Sequence, residues 1–512
     1  MLKSITLSAL ALLGYMSVSA QAFQWGKQYT SVPEYHDVLE KDNYLYTCGD
    51  AVMLSKSDVN GNILWTKTIS KSLNGTYIKD DGNGNIIVAG SFNGNQTVST
   101  VSGNVTLQTY IGDLFVAKLD TSGKILWITQ TKSKDYIGPK GCQTDADGNI
   151  YLAAHFTKGV GIGTDSFTSR GDFDVLIAKY HSDGSFAWAT QVGGSGADDI
   201  AAICFTPSRK LVVAGQYYND IKYGSIAGTK TSGLTGFIGE VNPVSGAFEV
   251  IKSNTALIYE FLIPNNYDGY DANVIFSNSL MVGSQVLRSP GTGSAIVRAD
   301  SAFNLNSGFQ ISLVPQFMVA NSNGTVTLGG SFYNSMTIDP KITYNSFGES
   351  DIYLVSYSYF GKLLWSLQAG GGNIDELSCM KGSSDGKSIY ISGSVQSGPA
   401  RFGTVIIRGD LSGSGFLLKM TDPVSSVDNE LAPEMNINVF PVPVQDILHV
   451  QIPNNGSAET NLGLFDLQGK LLQTMQVAPG DNKVSVASLN PGMYVLKMSD
   501  GNSYKTCKIL KD

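Results

Sequence analysis

The chain has 512 residues, 57 of them glycine, with 43 acidic side chains against 35 Lys and Arg and a net charge of −8. That length exceeds what one ordinary core accommodates, so several domains or a repeat array are expected. The acidic balance and the want of any long basic run argue against nucleic acid or an anionic membrane surface as partner.

Residues 1–22 open with Lys3, run through an apolar stretch from Ile5 to about Met16, and end on the small residues Ala20 and Ala22. This is the pattern of a cleaved secretory signal, too short at its apolar centre to anchor the chain. No later segment approaches the roughly 20 apolar residues of a spanning helix, so no transmembrane segment is expected.

From Phe23 onward the chain repeats. Trp65, Trp127, Trp188 and Trp365 each close the same unit, an apolar run, a polar turn with Gly and a second apolar run: AVMLSKSDVNGNILW (51–65), DLFVAKLDTSGKILW (113–127), DVLIAKYHSDGSFAW (174–188) and DIYLVSYSYFGKLLW (351–365). One such unit cannot bury its apolar face alone and needs neighbours. Upstream of most units lies a polar turn followed by alternating apolar residues, as in GNGNIIVAGSF (82–92) and DADGNIYLAAHF (145–156), which is a hairpin signal. Third strands are predicted near 52–57, 114–119, 175–180, 237–241, 295–299, 352–357 and 416–420. Two repeats drift: 236–250 has Phe248 near the place of Trp, and 294–309 loses the aromatic register. The inserts 93–112, 157–172, 218–235, 333–350 and 395–414 are long for bare loops, and each is expected to hold a small hairpin.

The ends complement each other. FQWGKQY (23–29) is a Trp strand with no third strand before it, whereas GFLLKMTD (415–422) is a third strand with no Trp strand after it. Joining them completes a seventh unit and removes the open edges that a linear array would leave. The expected fold is therefore all-β: a seven-bladed β-propeller over 23–422, closed by the N- and C-terminal strands. Residues 423–438, with Asp428, Glu430, Glu434, Pro423 and Pro433 and no strand period, read as a linker. Residues 439–512 alternate in short strands and predict a small C-terminal β-sandwich.

The residues quoted carry two resemblances. The repeat, with its D-x-[FLY]-[ILV]-[AV]-[KS] run, turn Gly and closing Trp, resembles the SBBP-type β-propeller repeats of secreted bacterial proteins over about 23–422. The last module is similar to the type A sorting domain of the type IX secretion system of Bacteroidota. It shares the opening F-P-x-P (Phe440 to Pro443), D-L-Q-G-K-L (466–471), P-G-M-Y-V-L-K (491–497) and K-x-x-K-I-L-K (505–511); Val442 stands where the family has Asn. This resemblance implies passage to the periplasm on the signal sequence, then export by the type IX machinery acting through 439–512. It further implies removal of that domain within the linker and a product that is released or held on the cell surface.

Catalytic signatures are wanting. The D-x-x-G-x-x-x-W element looks like the Asp box of sialidases, but Gly61–Trp65, Gly123–Trp127 and Gly184–Trp188 are spaced by four rather than three, which on a strand reverses the face. VGGSGADD (192–199) leads from strand to strand, so no helix N-terminus is offered to a phosphate. The five cysteines form no CxxC. Cys142, Cys204 and Cys379 fall 15, 16 and 14 residues after their Trp, within apolar runs, and read as small buried hydrophobes rather than a disulfide framework. Acids do recur just past the Trp strand: Asp135, Asp198, Asp199 and Asp375. Connections from outer to inner strands pass toward the axis, so these four are the candidates for a ligand- or cation-binding site, with calcium the cation considered and solvated turn acids the plainer reading. No other cofactor is expected. The function read from the sequence is a secreted or cell-surface binding or scaffold protein for an extracellular glycan or protein. The alternative is a polysaccharide hydrolase or lyase using axial carboxylates.

Overall fold

A computed structural model describes residues 23–512 apart from 30–33, 51–52, 70–72, 110, 266–268, 284, 322–323, 412, 422–436, 453–459, 466–470 and 500–503. The expected signal sequence and nearly all of the expected linker lie outside the described residues. The described chain is all-β and contains no helix.

Between Phe23 and Thr421 the strands form seven antiparallel sheets, six of four strands and one of six. We number them by their innermost strands: Tyr35–Lys41, Leu73–Asp80, Ile137–Thr144, Asp199–Phe205, Leu257–Pro264, Phe317–Ala320 and Asp375–Gly382 for sheets 1 to 7. In sheets 1 to 6 the chain runs outward in order. In sheet 7 the fourth strand is the first of the chain: Phe23–Tyr29 lies antiparallel to Ser414–Thr421, with Trp25 opposite Lys419 and Lys27 opposite Leu417. Each innermost strand touches the next, and that of sheet 7 touches that of sheet 1, so the circuit closes. Six of the seven innermost strands carry a bulge, at His36, Thr76, Lys140, Ala201, Glu260 and Ser378, which bends the strand and re-aims its side chains.

The core lies between the faces of adjacent sheets. Tyr46 and Leu54 of sheet 1 pack with Ile86 and Phe115 of sheet 2, and Tyr35 and Leu45 of sheet 1 with Tyr390 and Leu417 of sheet 7. The repeated residues form the lock between sheets. Trp127 donates its Nε1–H to the Ser182 carbonyl in the next sheet's turn (3.3 Å), and the Lys118 ammonium donates to the same carbonyl (3.1 Å). Trp188 and Lys179 do likewise to Pro243 (3.3 and 2.9 Å), and Trp25 bonds Val59 (3.0 Å). The indole lies so close to the turn glycine that a Cβ on Gly184 would stand 2.7 Å from the Trp127 ring; Gly184 also has φ +86°, which favours glycine. The aspartates that open the turns of sheets 1, 2 and 5, Asp58, Asp120 and Asp300, accept backbone N–H groups two and four residues on, as Asp120 does from Ser122 and Lys124. The D-x-x-G-x-x-x-W spacing is thus accounted for by turn closure and sheet packing.

Two details differ from expectation. Phe248 does not occupy the Trp register: Val250 does, opposite Glu240, and Phe248 lies across a bulge on the other face, packed with Trp188 of sheet 3. In sheet 5 the register position is Ser307, while Phe309, two residues later, covers Gly361 as a Trp would. Hairpins occur in four of the five inserts, at Gln96–Leu107, Gly159–Thr168, Lys222–Ala227 and Gly398–Gly409. The fifth, 333–350, prolongs the ladder of Val326–Asp339 with Ile342–Tyr357 through two bulges, because its alternation stays in phase with the strands it joins.

The last module has two sheets, Asn438–Phe440, Ile447–Ile452 and Gly480–Ser485 in one, and Thr460–Phe465, Leu471–Val477, Gly492–Ser499 and Tyr504–Lys511 in the other. Leu448, Val450 and Val484 of the first share one core with Leu462, Leu464, Leu496 and Ile509 of the second.

Candidate functional site

The innermost strands carry an unusual load of charge. Asp37, 2% exposed, accepts from Lys79 Nζ of sheet 2 (2.9 Å) and lies 3.3 Å from Lys381 Nζ of sheet 7, while the Ile78 backbone N–H donates to it (3.1 Å). Burial opposes its charge, but Lys381 and Lys79 outweigh that and hold the carboxyl below its usual range. On the next arc Asp199 of sheet 4 meets Lys140 (2.7 Å) and His155 (3.1 Å) of sheet 3, again with a lowered pKa despite burial. Burial, with Asp199 close by, pushes the Glu260 carboxyl of sheet 5 up. These pairs cross-link neighbouring sheets near the circuit's centre, and sequence reasoning picked out only Asp199 among them. Lys79 and Lys381 share one register position, three residues past the bulge of their strands, but the acid that both reach, Asp37, lies on a third sheet, which recurrence could not reveal.

The four predicted acids do not form one group. Asp135 is partly exposed and paired with Lys158 (2.6 Å), which lowers its pKa. Asp198 and Asp199 are neighbours in sequence but serve different contacts: Asp198 is fully buried and accepts from the Gly194 backbone N–H (2.7 Å). Asp375, also buried, accepts from the Gly371 N–H (2.6 Å). Each of these two lies beside a second buried carboxylate on a third strand, Asp174 beside Asp198 and Asp351 beside Asp375. Burial is the main cause that raises Asp198 to about 8 and Asp375 to about 7, with the neighbouring aspartate adding to it. Asp174 and Asp351 are raised too, by burial. The expected gathering of loop acids at one axial site therefore gives way to two separate pairs between adjacent sheets. Both pairs are spaced by 24 residues with a Gly-Gly between, a regularity that the sequence did display.

Among the described residues no group of three or more His, Cys, Asp or Glu is placed to hold a metal ion. Cys48, Cys142, Cys204 and Cys379 form no disulfide and are buried, their thiols pushed up by burial. A cavity of about 360 Å³ lies between the edge of sheet 5 and the last module, lined by Gln285, Asn306, Tyr359, Asn461 and Gln476 among others. It is remote in sequence and sheet position from the charged innermost strands.

Comparison with known proteins decides the nature of the C-terminal module. Residues 438–512 match the secretion system C-terminal sorting domain. The chain ends in a type IX sorting domain. Such a domain marks a secreted or cell-surface protein and fits recognition by the type IX machinery. An uncharacterized WD repeat-containing protein of Acanthamoeba polyphaga mimivirus is 25% identical over 215 residues, covering 36% of this chain and 15% of that one. The chain thus spans well under two thirds of that relative. Similar solved structures include polysaccharide lyase Uly1 (8% identity, 78% of this chain and 99% of that one, TM-score 0.43). Saccharomyces cerevisiae Sqt1 (10%, 80% and 100%, 0.40) and BamB from Moraxella catarrhalis (9%, 80% and 99%, 0.36) are others. None of these likenesses carries an activity to this chain.

Proposed function

We propose that this is a non-catalytic binding or scaffold protein of the cell surface or medium, a Bacteroidota protein of SBBP-type repeats exported in two steps. In this reading residues 1–22 are removed on entry to the periplasm. Residues 23–422 form one closed seven-bladed β-propeller and 439–512 a sorting β-sandwich. The 423–438 linker is where the sandwich is cut away. The propeller offers loops of one face to an extracellular glycan or protein. The observation that carries the non-catalytic reading is the state of the innermost carboxylates. Asp37 and Asp199 are each bound by two basic side chains, whereas glycoside chemistry asks for one carboxyl free to give a proton and another free to attack or to activate water. Ion pairs of this kind hold sheets in register.

Incubating the full chain with immobilised extracellular polysaccharides and following both retention and product ends tests the proposal. Saturable retention with no new reducing or unsaturated ends is the expected result. Turnover that is lost in Asp199→Asn would replace this reading with the hydrolase or lyase alternative.

A further inference from the structure

Two places in the ring repeat one arrangement. In sheet 3, Asp174 opens the third strand and accepts from the Arg170 backbone N–H (3.2 Å) and Gln191 Nε2 (2.5 Å). In sheet 6, Asp351 stands at the same place, within the prolonged third strand, and accepts from the Phe347 N–H (3.0 Å) and Gln368 Nε2 (2.5 Å). Across from each lies the acid of the loop into the next sheet, Asp198 or Asp375, itself bonded to the N–H four residues back. A Cβ built on Gly370 would stand 2.6 Å from Asp351 Oδ1 and 2.9 Å from Asp375 Oδ2, so both carboxylates converge over one glycine; Gly193 lies as close to Asp174. The loops also touch, the Asp172 N–H donating to the Gly196 carbonyl (3.2 Å) and the Ser350 N–H to that of Asn373 (3.4 Å).

What these pairs lack is a counter-charge. Asp198, Asp351 and Asp375 are at most 1% exposed, and Oδ1 of each has no hydrogen-bond partner. No basic side chain acts on Asp351 or Asp375. At the other pair, Arg170 acts on Asp174 at a distance while its guanidinium is spent on the Gly193, Lys222 and Gly224 carbonyls, and Asp220 adds further negative charge. Two neighbouring buried carboxylates are not both kept ionised without an added positive charge. The buried atoms left without a partner are carboxylate oxygens, the ligands that a hard cation prefers and calcium above all.

We infer that each pair, Asp351 with Asp375 and Asp174 with Asp198, binds one calcium ion that ties a third strand to the first strand of the following sheet. Two carboxylates supply the charge, and loop carbonyls and water complete the shell. The ion therefore acts as a clasp between sheets 6 and 7 and between sheets 3 and 4.

The test is thermal unfolding of the full chain at pH 8 after chelation, titrated with calcium chloride and paired with calorimetric titration. An upward shift of a few degrees at millimolar calcium is expected, as for any ligand that binds only the folded state, together with about two ions bound. Asp375→Asn and Asp351→Asn should each halve the stoichiometry, and Asp198→Asn/Asp375→Asn should abolish the shift. In chelator those amide variants should be more stable than the parent, because the repulsion is gone, which separates lost binding from lost folding. An unchanged midpoint with calcium, or a shift that survives in the double variant, overturns the inference. An unchanged midpoint together with stabilisation by acid alone would show that a shared proton neutralises the pairs instead.

Discussion

Asp198 and Asp375 make the stability of the metal-free protein depend on pH in a direction opposite to that of most aspartates. With folded pKa values of about 8 and about 7, both lie above the unfolded carboxylate value of about 4. Native protein then holds protons that the unfolded chain has released, so the contribution is whole below about pH 4 and is lost as pH rises through 7 and 8. The aspartates with lowered values, Asp81 at about 2 for example, act only in the acid range below pH 4. In chelator the unfolding midpoint should therefore fall between pH 5 and pH 9, and Asp198→Asn/Asp375→Asn should flatten the slope. A parent midpoint that rises or stays level over that range would contradict the assignment. At this scale the sequence was only half legible. It marked Asp198 and Asp375 as recurrent, but recurrence does not say where a side chain points. Their partners Asp174 and Asp351 looked like ordinary strand openings until the chain's return brought them alongside.

At the level of strands and turns, the repeat motif is a set of parts for one joint. The third-strand Lys and the Trp both reach a carbonyl of the next turn, and the turn glycine leaves the indole room to lie flat. Gly184→Ala would set a methyl inside the Trp127 ring contact at a φ that costs an L-residue about 1–2 kcal/mol before any clash. Together with overpacking of about 1–3 kcal/mol, a loss of roughly 2–5 kcal/mol is expected, measured as a lowered urea midpoint. A midpoint shift within the scatter of surface substitutions would show that the turn yields and the joint is soft. Because these parts recur, strand order and most insert hairpins could be read from the chain alone. Sheets 4 and 5 were harder: in sheet 4 Val250 stands in the Trp register while Phe248 packs back on sheet 3, and in sheet 5 Phe309 does the work of Trp from two residues away on the same face, where period-two alternation permits the exchange. The innermost bulges left no trace in the pattern, as a bulge adds one residue without changing which residues are apolar.

For the molecule as a whole, the pairing of Phe23–Tyr29 with Ser414–Thr421 decides whether there is a closed ring or an open arc. Phe23 and Tyr29 are buried there, and each contributes roughly 1.5–3 kcal/mol by burial. Removing 23–29 would also bare the ladder edge of Ser414–Thr421, which invites pairing with another chain. The deletion is expected to drive the protein into dimers and larger species on size-exclusion chromatography, with the parent monomeric under the same conditions; a monomeric, equally stable deletion product would refute the account. Closure was legible because the two ends carried complementary halves of one unit. The charged links Asp37–Lys79–Lys381 and Asp199–Lys140–His155 were not, because each joins residues of different sheets, and Asp37 meets Lys381 only once the circle exists.

A sheet built from both ends of the polypeptide also sets an order of events. The opening segment has no docking site until synthesis has run some four hundred residues further, so the ring of sheets stays unclasped through most of translation. The strand that receives it is followed, after one short span, by the sorting address. A product cut short anywhere upstream of Ser414 loses the receiving strand and the address together.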